Sequence, residues 1–140
     1  MSEPLRRALR AEGGLLGDLV ASDGAGAPEP DGPARLASSG PRVRANAEEY
    51  ALLLDMILEG SLLHYGGARV VRTEDPDLAL LVGDQLYALG LGRLAALGDL
   101  EAIAVLADVI SSLAQAHAES DPGRAEVIWR DGARMIGWGS

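Results

Sequence analysis

Apolar positions in this chain recur at intervals of three and four residues, not in alternation. Over residues 45 to 64, Tyr50, Leu53, Leu54, Ile57, Leu58 and Leu62 share helical spacing. Gly66-Gly67 supplies a stop. Residues 68 to 73 read as a short extended segment or loop. Asp75-Pro76 pairs an N-cap with proline at the first helical position, predicting a helix that runs to about Leu97 and closes at Gly98. Asp99 is placed to cap a third helix. On it Leu100, Ile103, Ala107, Ile110, Leu113, Ala114 and His117 share a face, and Val105, Leu106 and Val109 widen the stripe. Asp121-Pro122 repeats the cap-and-proline signal ahead of a last helix over residues 123 to 136. No stretch alternates as a strand would, so the expected fold is all-α, an antiparallel helix bundle with short connections.

The N-terminal part has a different texture. Residues 1 to 21 form an arm with a short amphipathic helical pattern, interrupted by Gly13, Gly14 and Gly17. Residues 22 to 43 are rich in Gly, Pro, Ala and Ser and predict a linker. The bundle domain is expected over residues 44 to 140. A linker of this kind would let the arm reach over a neighbouring subunit.

Composition narrows the class. At 140 residues the chain is one domain at most, and with 48% hydrophobic residues but no Phe its core must be Leu, Ala, Val and Ile. The net charge of −9 argues against a nucleic-acid partner and against anionic membrane surfaces. The absence of cysteine excludes disulfides, thiol catalysis and Cys-based zinc sites. Arg6, Arg7 and Arg10 are not followed by a signal-peptide core, and no apolar run is expected to reach the 18 or so residues that span a bilayer, so the expected location is cytoplasmic.

Few residues carry chemistry. Asp84 sits among leucines, with Leu80, Leu81, Tyr87 and Ala88 as its helical neighbours. It reads either as a ligand or metal group facing the bundle interior or as a buried structural carboxylate bonded to a helix end, Arg69 or Arg72. His64, beside Tyr65 at a helix end, is a candidate metal ligand or base, with Asp55 and Glu59 loosely on its face. The bland reading is a partly exposed helix-end histidine. His117 reads as an ordinary helix-face residue. Arg69 and Arg72 are candidate anion-binding groups, although Gly66-Gly67-Ala68-Arg69 lacks the spacing of a phosphate loop. Trp129, Met135 and Trp138 suggest either internal packing or a self-association surface.

The order of short motifs resembles the polyprenyl diphosphate synthase family. Ser61-Leu62-Leu63-His64, then Arg69 and Arg72, then Val82-Gly83-Asp84-Gln85-Leu86-Tyr87-Ala88, and finally Gly132-Ala133-Arg134-Met135-Ile136-Gly137 follow the family order over residues 45 to 139. The resemblance implies half of an isoprenoid synthase fold. It also shows a departure. Where the family's first aspartate-rich motif follows the histidine, this chain has Tyr65 to Arg69, and the second such motif has no counterpart in the 140 residues. No carboxylates stand there to hold the magnesium ions that bridge a diphosphate. The expectation is therefore a non-catalytic protein without cofactor or bound metal. It would act as a partner subunit, as a homodimer or within a larger complex, or would bind an apolar isoprenoid-like ligand near Asp84, His64, Arg69, Arg72 and Tyr87. Two other classes stay open: a small bundle enzyme with a metal site built from Asp84, His64, Asp55 and Glu59, and a ligand-free helical assembly protein.

Overall fold

The computed structural model describes residues 3–20 and 32–139. Among these the fold is all-α, with seven helices: α1 (Glu3–Glu12), α2 (Gly14–Asp18), α3 (Pro33–Ser38), α4 (Ala47–Tyr65), α5 (Pro76–Leu97), α6 (Leu100–Ala118) and α7 (Arg124–Trp138). A 3-10 turn, Pro41–Asn46, leads into α4.

α4 is the axis of the molecule. Every residue from Leu53 to Ser61 is buried, so this helix has no solvent face over more than two turns. It feeds two cores. Tyr50, Leu53, Leu54, Ile57 and Leu58 pack with Leu94, α3, α6 and α7. Met56 and Leu63 pack with Val70, Val71, Val82 and Leu86 and with the N-terminal helices. α5 lies closest along α4, and glycines explain the approach. A Cβ on Gly60 would sit 2.9 Å from the Gly83 carbonyl oxygen, and one on Gly90 would sit 2.6 Å from Ile57.

The expected caps of α5 and α6 form as the sequence predicts. The Asp75 carboxylate accepts from the N–H groups of Asp77 and Leu78 at 3.0 and 3.3 Å. Asp99 accepts from the Ala102 N–H at 3.1 Å. Asp99 also pairs with Arg42 and accepts the Tyr50 hydroxyl at 2.6 Å, tying the 3-10 turn to the α5–α6 corner. Against the upward pull of burial, these donors hold its carboxyl below the usual range. The Tyr50 hydroxyl is pushed up to about 12 by burial and by its bond to Asp99. Asp121-Pro122 does not cap α7. The helix starts at Arg124 behind Gly123, which makes no side-chain cap bond, and runs on to Trp138.

Two expectations about the N-terminal half are corrected. Residues 22–31 of the expected linker lie outside the described residues, but residues 32–43 are built into the bundle. Pro33 opens α3, and Ala34, Ala37 and Val43 are buried against α4, α6 and α7. Small residues here allow close packing: a Cβ on Gly40 would lie 2.2 Å from the Gly137 carbonyl oxygen. Nor is the arm free to reach a neighbour. Leu5, Leu9 and Leu16 are fully buried in the second core, and Arg72 donates its backbone N–H to the Leu19 carbonyl at 2.9 Å.

The expectation that no segment is long and apolar enough for a bilayer is also corrected. α5 and α6, at 22 and 19 residues, both reach a mean hydropathy of 1.2, and only 28% and 33% of those windows are buried. The sequence reading missed this because Asp84 and Arg93 interrupt the apolar letters of α5 without breaking the helix. Such charges make α5 a poor lipid-facing span.

Candidate functional site

Asp84 is not a buried carboxylate. It projects from the outer side of α5 with its side chain 68% exposed, and its partner is His64 Nε2 at 2.9 Å, not Arg69 or Arg72. Gly83 makes the pair possible. A Cβ at that position would lie 2.5 Å from His64 Cδ2, so only glycine lets the imidazole rest on α5. Tyr87, one turn further, stacks on the same ring with centroids 5.3 Å apart. Burial, with Tyr65 and Asp84 nearby, raises the Tyr87 hydroxyl well above its ordinary value.

Arg69 belongs to a different cluster. Glu59 is fully buried, and its carboxylate accepts the backbone N–H groups of Arg69, Val70 and Val71 at 2.9, 2.7 and 2.9 Å, together with Arg69 Nε at 3.2 Å. Asp55, one turn before Glu59, lies 3.6 Å from Arg69 Nη2. Burial pushes the Asp55 carboxyl up to about 6, with Arg69 opposing it. Arg72 is exposed, and its structural role is the backbone bond to Leu19. The five residues expected at one site thus divide into an outer His64–Asp84–Tyr87 group, an inner Arg69 cluster and a surface arginine. Among the described residues no three His, Asp or Glu side chains converge as a metal site. The metal set Asp84, His64, Asp55 and Glu59 is split, because Arg69 engages the latter two.

A separate opening shares only Arg69 with these groups. A groove of about 1210 Å³ runs between α3, the C-terminal end of α4 with Gly66-Gly67, the end of α6, and α7. Leu36, Leu58, Leu62, Leu113 and Trp129 line it with carbon. Tyr65 and His117, stacked in parallel at 3.9 Å, form part of its wall. His117 is therefore more than a helix-face residue. Arg35, Arg69, Arg130 and Glu126 supply its charges. Trp129 is almost fully buried and faces the groove, whereas Trp138 is half exposed. The sequence reading found Tyr65, Arg69, His117 and Trp129 singly but not together. Arg35 and Leu36 were hidden in the expected linker.

No family model, no curated protein and no solved structure matches this chain.

Proposed function

We propose that the protein is a non-catalytic helical binding protein that holds a long apolar chain, such as an isoprenoid, in the groove between α3, α4, α6 and α7. The observation that carries this is the groove itself. As an open groove it exceeds the roughly 300–1,000 Å³ usual for closed ligand pockets, room enough for a long chain, and its buried lining is leucine and tryptophan with exposed polar groups around it, the composition of a site for an apolar ligand. The segment Tyr65 to Arg69 offers no carboxylate for a magnesium-bridged diphosphate, which supports binding without turnover.

Two measurements test this. Farnesol titrated into the Trp138→Phe protein should change Trp129 fluorescence saturably, and Leu113→Arg should abolish the change. Incubation with an allylic diphosphate, a homoallylic diphosphate and Mg²⁺ should yield no longer prenyl product. A flat titration would refute ligand binding, and any elongation would refute the non-catalytic reading.

A second reading, a partner subunit, rests on different residues. Leu81 on α5 and Leu100 on α6 are 62% and 77% exposed, and Leu80 joins them. Ala88, Ala95, Ala96, Ala104 and Ala107 continue these outer faces, which Asp84, Glu101 and Asp108 interrupt. Exposed apolar faces of this kind support a homodimer or a larger complex. Sedimentation of the wild type and of Leu81→Glu tests it: a monomer in both would exclude self-association.

A further inference from the structure

We propose that the apolar ligand carries a single anionic head, and that Arg35 and Arg130 hold it directly, without a metal ion. This inference rests on the groove being the ligand site. Three arginines away from the groove carry ion pairs, Arg42 with Asp99, Arg93 with Glu49 and Arg124 with Glu119, whereas others such as Arg44 and Arg134 make no ion pair among the described residues but do not line the groove. Arg69, also on the groove, is held by Glu59 and Asp55. Arg35 on α3 and Arg130 on α7 make no ion pair among the described residues, yet both line the same opening from different helices. Glu126, one turn before Arg130, is the groove's single carboxylate and makes no ion pair there. With Arg69 already matched by Glu59 and Asp55, Arg35 and Arg130 against Glu126 leave the groove one positive charge in excess in a chain of net charge −9. That local inversion is charge complementarity for an anion. Guanidinium groups suit a carboxylate or phosphate because their planar fork donates two parallel hydrogen bonds. The leucine and tryptophan floor beside them suits the tail. The ligand class is an amphiphile with a carboxylate or phosphate head.

The full-length chain is titrated with dodecanol, dodecanoate and dodecyl phosphate below their aggregation limits, reading Trp129 in the Trp138→Phe background. At least one anion should bind about tenfold more tightly than the alcohol, in line with charge-assisted hydrogen bonds at a solvated site. The tighter of the two identifies the head as a fatty acid's carboxylate or a lipid phosphate. Arg35→Gln and Arg130→Gln should each weaken the anion roughly three- to tenfold, while dodecanol binding, which also reports an intact fold, stays within twofold. EDTA should change nothing. Equal binding of alcohol and anions, or anion binding lost with EDTA, overturns the assignment of the head and leaves the apolar site standing. Failure of all three to bind overturns both.

Discussion

Removing the carboxylate of Glu59 should be the most damaging single change in the fold outside the leucine core. Glu59→Ala leaves three consecutive backbone donors, at Arg69, Val70 and Val71, without their acceptor, the last two of them fully buried. It also strips Arg69 of its closest counter-charge. An unsatisfied buried donor costs roughly 1–3 kcal/mol, and breaking a buried ion pair from one side costs roughly 3–5 kcal/mol. These penalties overlap, because loop 69–71 can relax outward once released. A loss of about 4 kcal/mol is the reasoned value. That is a large fraction of the roughly 5–15 kcal/mol that holds a domain together. Glu59→Gln should lose less, about 2 kcal/mol, because its amide oxygen can still take the three backbone donors while its NH₂ faces Arg69 Nε. Urea unfolding at pH 7 measures both. Amide exchange at Val70 and Val71 should accelerate before global unfolding in either variant. A loss below about 1 kcal/mol for Glu59→Ala would refute the claim that this carboxylate organises the loop.

Three further outcomes follow from the same cores. Asp55 has a folded-state pKa raised to about 6, so its native proton favours folding at low pH and that contribution disappears as pH rises from about 4 to about 6. Asp55→Asn should flatten the stability profile across that window and gain roughly 1–2 kcal/mol at pH 7; a difference profile that is level from pH 4 to 6 refutes this. Gly83→Ala should cost roughly 1–3 kcal/mol by overpacking and should break the His64–Asp84 bond, which a shift in the His64 ring signals in NMR would report. Arg6 is 2% exposed, and its Nε and Nη2 have no hydrogen-bond partner among the described residues, so Arg6→Met should leave the melting temperature unchanged or raise it; a fall of several degrees would show a partner that offsets the charge.

Caps and periodicity made the bundle legible. Asp75, Pro76 and Asp99 carry their signals within a few residues, because helix ends are satisfied locally. Two things were not local. Gly40 reads as a linker residue until Gly137, almost a hundred positions away, is seen against its backbone. Asp84 reads as an interior carboxylate because its neighbours in sequence are leucines, yet Leu80 and Leu81 are themselves exposed. The truly buried acid, Glu59, lies in an equally apolar run. Nothing in its own helix distinguishes it from Asp84; the difference is that residues 69–71 fold back to supply its donors.

That fold-back links the arm to the groove. Residues 66–71 leave α4 at Gly66-Gly67, both with positive φ, and are at once anchored on Glu59. On one side Val70 and Val71 enter the core that holds Leu5, Leu9 and Leu16, and Val71 bridges to Val20. On the other side Tyr65, Gly66, Gly67 and Arg69 line the groove. One buried carboxylate therefore positions both the seat of the N-terminal helices and a wall of the ligand site. If Glu59 sets this geometry, Glu59→Ala should weaken groove binding as well as stability, although Glu59 itself does not line the groove. Leu9→Ala should cost a comparable 2–4 kcal/mol through the second core alone, leaving Glu59 and its donors in place. At temperatures where both variants are folded, Leu9→Ala should bind dodecanol like the wild type and Glu59→Ala should not. Equal affinities in the two would show that the groove wall stands without the Glu59 anchor.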